Sequence, residues 1–105
     1  MGKKDYNKAK KAWEIALKQN PFHRQAWANT IILLDELGQQ DEAKNAAEEA
    51  ILYIPNDPLI HYHIGNILGK EESYKKAEYH FKVAISQDPS NAVFYTNLGI
   101  SSYFV

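Results

Sequence analysis

The chain has no cysteine, which excludes a disulfide framework, a thiolate metal site and a cysteine nucleophile together. It has no apolar run near the roughly 18 to 20 residues that a membrane-spanning helix needs. Its start leads into an amphipathic stretch rather than the apolar core of a signal peptide. Charge of one sign is lacking too: twelve basic side chains meet thirteen acidic ones, for a formal net charge of -1. Nothing in that balance draws the whole chain to nucleic acid or to an acidic membrane surface, so neither is an expected partner. The one basic cluster, Lys3, Lys4, Lys8, Lys10 and Lys11, reads as a solvated helix face. No Asn-x-Ser/Thr acceptor occurs, and Tyr6 stands where a myristoylated Met1-Gly2 start needs Ser or Thr. Glycine and proline are scarce, five and four in 105 residues, so their positions carry information.

The prolines are periodic. Ala9, Trp13, Ala16 and Pro21 return as Ala43, Ala47, Ala50 and Pro55, and again as Ala77, Phe81, Ala84 and Pro89, each step 34 residues long. A fixed period of that size means stacked units that bury their apolar faces only against neighbours. Within a period the spacing predicts two helices. Trp27, Ile31 and Leu34 share one face of a helix from Arg24 to Leu37 that Gly38 ends, and Asp41 to Tyr53 carries an alanine stripe until Pro55. The next unit repeats this, with Pro58 in a first turn, Ile64 and Leu68 on a helix to about Lys70, and Ser73 placed to cap the partner helix. Asp5 or Asn7 to Gln19 matches only a second helix and Ala92 to about Tyr103 only a first. The expected division is therefore 1–21 (second helix of a partial repeat), 22–55 and 56–89 (full repeats) and 90–105 (first helix of a partial repeat). The fold class is all-α, a superhelical solenoid of about six antiparallel helices. Small residues at Ala43, Ala77, Gly65 and Gly99 let helices cross closely, with Trp27, Phe81 and Tyr95 filling the flanks.

This pattern resembles the tetratricopeptide repeat, through Pro58, His61, Ile64, Gly65, Leu68, Ala77, Phe81, Ala84 and Pro89. Thr30-Ile31 replaces the usual Leu-Gly, Ala47 an aromatic, and His61 a tryptophan. The stretches Ala26 to Asp35, Ile54 to Asp57, Asn66 to Lys70 and Tyr74 to Glu78 further resemble the repeat region of transmembrane and tetratricopeptide-repeat-containing (TMTC) proteins. That family's members are membrane proteins of the endoplasmic reticulum linked to O-mannosylation of cadherins, with the repeats in the lumen and catalysis in a membrane portion. The resemblance implies a partner-engaging piece in the lumen of the endoplasmic reticulum; a repeat module of another kind would be cytoplasmic.

The repeat resemblance also implies a concave groove lined by the first helix of each unit. Its candidate binding residues here are Gln25, Asn29, Ile32, Tyr62, His63, Asn66, Lys70, Thr96 and Asn97. Asn29 and Asn97 share a slot, and a row of amides holds an extended peptide by its backbone. The same asparagines would equally serve to bond across helix pairs. Tyr62 is the candidate aromatic anchor, or a packing residue. The two-carboxylate clamp of chaperone-binding relatives is not reproduced: Ala28 stands where a lysine is needed and Asn97 where an arginine is.

Catalytic, cofactor and metal roles are not expected. His61 and His63 lie two apart on a helix and diverge by roughly 160°, His61 in a packing slot, His63 facing the groove and His80 on the outside. Glu48-Glu49 and Glu71-Glu72 read as solvated surface. The expected partner is a protein or extended peptide. A purely structural stack is the alternative, and the apolar end Tyr103-Phe104-Val105 points either to a longer array or to end-to-end self-association.

Overall fold

The computed structural model describes residues 3–105, with side chains from Asn7 onward; Met1-Gly2 and the side chains of Lys3, Lys4, Asp5 and Tyr6 lie outside the described residues. Six helices follow one another: α1 (Lys3–Gln19), α2 (Arg24–Glu36), α3 (Gln40–Tyr53), α4 (Pro58–Lys70), α5 (Tyr74–Gln87) and α6 (Ala92–Tyr103). No strand occurs among the described residues.

Each chain reversal has a local cause. The helices α2, α4 and α6 begin at His23, Asp57 and Asn91, one slot repeated every 34 residues and filled by three residue types. In each case the side chain accepts a first-turn amide: His23 Nδ1 from Ala26 at 3.1 Å, Asp57 Oδ1 from Leu59 at 2.9 Å, and Asn91 Oδ1 from Val93 at 3.0 Å. Pro58 follows its cap in the first turn, where a missing N–H costs nothing. Ser73 occupies the N-cap position of α5 but makes no side-chain capping bond, contrary to the expectation. The turn before it is closed by backbone instead: Glu72 adopts a positive φ of 63°, and the Ser73 amide donates to the Leu68 carbonyl at 2.8 Å. Gly38 does the same before α3 with φ 77°, its follower Gln39 donating to Leu34.

Each helix packs on the next in sequence. In addition α2 touches α4 and α4 touches α6, while the backbones of α1, α3 and α5 stand apart. The result is two layers, α2–α4–α6 on one side and α1–α3–α5 on the other. Between them lie Ala28, Ala43, Ala47, Ala50, Ala77 and Ala84, all fully buried, with Ile31, Ile60 and Ile67. Gly65 is required at the α4–α5 crossing, since a Cβ there would sit 2.6 Å from the Phe81 ring. Gly99 and Tyr95 depart from the expectation. A Cβ at Gly99 meets nothing within 4 Å, and Tyr95 is exposed, because α6 packs only towards α5 and α4.

Candidate functional site

The α2–α4–α6 layer presents the nine candidate residues, and they fall into distinct local arrangements. On α2, Gln25 Nε2 donates to Asn29 Oδ1 at 2.9 Å, so this pair is satisfied along its own helix. On α6, Thr96 Oγ1 donates back to the Ala92 carbonyl at 3.1 Å. Between helices the picture differs. Asn97 Nδ2 on α6 donates to Asn66 Oδ1 on α4 at 2.7 Å, and Lys70 on α4 reaches Asp35 on α2 at 2.6 Å. Each bond ties two neighbouring helices of this layer.

Bonded this way, the two amides retain complementary capacity, donor at Asn66 Nδ2 and acceptor at Asn97 Oδ1. Asn29 shares the 34-residue slot of Asn97, yet the partner of Asn97 is Asn66, 31 residues back, because adjacent helices meet about one turn out of register.

Ile32, Tyr62, His63 and Asn66 border a recess of about 290 Å³ between α2 and α4. Tyr62 is half-buried, its ring centroid 5.2 Å from Phe94 and 5.3 Å from His63, so it bridges α4 and α6 as well as lining this recess. The His63 Nε2 atom is enclosed with no hydrogen-bond partner. Burial pushes its imidazole below the ordinary range, against the pull of Asp35 and Asp57, and keeps it neutral. A second recess of about 380 Å³ lies between α4 and α6, with Asn66, Gly69, Tyr74, Phe81, Asn97 and Ile100 in its lining.

Two arrangements were not visible in the residue types. On the opposite layer, a cleft of about 590 Å³ separates α1 from α3 above Trp27, with Leu17, Ala46 and Tyr53 in its walls. One unit later the corresponding space is filled. His80, 34 residues after Ala46, stacks on His61 with Nδ1 atoms 3.0 Å apart, so His80 is a packing partner rather than an outward-facing residue. His61 itself copies the bond of the tryptophan it replaces: Trp27 Nε1 donates to the Pro21 carbonyl at 2.7 Å, and His61 Nε2 meets the Pro55 carbonyl at 2.7 Å. A carbonyl only accepts, so His61 donates through its Nε2–H, and its Nδ1 accepts a hydrogen bond from the Nδ1–H of His80. Burial, helped by the His61 charge, pushes His80 down to about 4. The signal for both lay in reading the 34-residue register across the layers. No group of three or more metal-ligating side chains occurs among the described residues, and none of their helices is long and apolar enough to cross a membrane.

Comparison with known proteins agrees with this architecture. The tetratricopeptide-repeat family profile matches residues 1–52 and 31–92. A protein O-mannosyl-transferase of Caenorhabditis elegans is 35% identical over 69 residues, covering 66% of this chain and 10% of that protein. The chain thus spans a small part of that relative's length. Among solved structures, the Arabidopsis OM64 TPR domain superposes with a TM-score of 0.84 at 20% identity, over 97% of this chain and 84% of that one. YrrB, described as a TPR protein with an unusual peptide-binding site, gives 0.80 at 22% identity, over 88% and 47%.

Proposed function

Because the chain belongs to the tetratricopeptide-repeat family, we propose that it is a non-catalytic binding module that holds an extended peptide or protein segment across α2, α4 and α6. Residues 22–55 and 56–89 supply the two whole units of that surface. The observation that carries the reading is the Asn66–Asn97 bond at 2.7 Å. It fixes two amides on adjacent helices and leaves the Asn66 NH2 to donate to, and the Asn97 oxygen to accept from, one peptide unit of the ligand. Tyr62 and the enclosed His63 give an uncharged floor beside them, and Lys70 is already neutralised by Asp35. An uncharged, backbone-directed surface suits an extended segment better than an acidic tail. The test is affinity for a peptide selected on the wild-type chain: Asn66→Ala with Asn97→Ala weakens it about tenfold or more at unchanged helicity. Unchanged affinity would remove the proposal.

A second reading is favoured by the similarity to the nematode protein O-mannosyl-transferase. In it the chain is the luminal repeat portion of a TMTC-like membrane protein of the endoplasmic reticulum, presenting acceptor proteins to a catalytic part outside these residues. An assay of the 105-residue chain with mannosyl donor and acceptor peptide then gives no turnover, and turnover would overturn the non-catalytic role.

A further inference from the structure

Gly65 and Gly69 lie one turn apart on α4 and have different reasons to be glycine. A Cβ on Gly65 would collide with Phe81, whereas a Cβ on Gly69 meets nothing within 4 Å, and no left-handed backbone demands glycine there. Glycine is a poorer helix former than alanine, so Gly69, in the last turn of α4, does not favour the helix and is unexplained by packing. What it does is leave open the recess of about 380 Å³ between α4 and α6. That volume is at the small end of the roughly 300 to 1,000 Å³ of ligand pockets. Tyr74, Phe81, Ile100 and Phe104 supply its apolar lining, and Asn66 and Asn97 border it. The charges that also line it, Asp35 and Lys70, are paired with each other at 2.6 Å and leave no single charge to attract an ionic side chain.

We infer that the α4–α6 recess is a side-chain pocket that selects peptides carrying one bulky, uncharged apolar residue, seated over Gly69 beside the backbone held by Asn66 and Asn97. The inference rests on the groove reading above and adds the specificity that amide contacts alone do not supply. A pocket sized for one side chain discriminates against smaller ones, since each missing methylene costs about tenfold or more in such sites.

Short random peptides displayed on phage and panned against the 105-residue chain supply the probe. The expected result is a shared Leu, Ile, Met or Phe at one position, whose change to alanine weakens binding about tenfold to a hundredfold. Gly69→Leu should fill the pocket, keep the wild-type melting temperature or exceed it, and lose the same affinity, with Gly69→Ala between. Enriched peptides without a shared bulky position, or equal binding by Gly69→Leu, would overturn the pocket while leaving the amide reading to stand on the Asn66 and Asn97 variants. No enrichment at all overturns the groove reading, and the pocket with it.

Discussion

A histidine in a tryptophan's slot changes what the second unit responds to. Trp27 and His61 make the same bond to a proline carbonyl, but only the imidazole has a second nitrogen, and that nitrogen needs His80. Burial first, and the neighbouring His61 second, disfavour a positive charge on His80. His80 is held neutral, its folded pKa lowered to about 4 from an ordinary value near 6.5. A lowered pKa means that the fold prefers the uncharged ring: this stability is fully present above about pH 6.5 and is lost as pH falls towards 4. The half-buried ring is partly screened by solvent, so we expect a loss of about 1 kcal/mol, or about 4–8 °C in Tm, between pH 7 and 4.5. In His80→Asn, whose Nδ2 stands where the donating Nδ1 of His80 does, that acid-dependent part of the decrease is expected to disappear. Equal acid sensitivity in both proteins would contradict the assignment of a neutral His80.

At the scale of elements, the helices themselves are legible because alanine, glycine and proline recur with a fixed period. Their ends are less so. The caps of α2, α4 and α6 occupy one slot: Asp57 and Asn91 are favoured N-cap types, whereas His23 shows its capping role only when it is seen accepting the Ala26 amide. Ser73 looks like a cap and is not one, because a backbone bond to Leu68 already closes the turn. That closure forces Glu72 to φ 63°, where Gly38 sits in the preceding unit. A left-handed conformation costs a residue with a Cβ roughly 1 to 2 kcal/mol. Glu72→Gly should therefore stabilise the protein by about 1 kcal/mol after the unfolded-state entropy of glycine is subtracted. Chemical denaturation measures this directly: a higher midpoint at unchanged slope is expected, and a lower midpoint would show that the turn is unstrained.

Across the whole molecule, one layer of helices is closely joined and the other is not. The joined layer, α2–α4–α6, is linked by Asn66–Asn97 and Asp35–Lys70 and carries the candidate groove. The opposite layer leaves a wide cleft between α1 and α3, where Ala46 stands in the slot that His80 fills later. The repeat places the nine candidate residues on one layer, because they all fall on α2, α4 and α6. Which of them meet could not be read from sequence, since contacts across neighbouring helices depend on an offset of about one turn that the period does not reveal. Amide chemical-shift mapping of the 15N-labelled chain with a selected peptide decides between the two surfaces. The shifts are expected to concentrate on α4 and α6 around Asn66, Gly69 and Asn97 and to extend to α2. Shifts centred on Ala46 and Tyr53 at the α1–α3 cleft, with α6 unmoved, would contradict it.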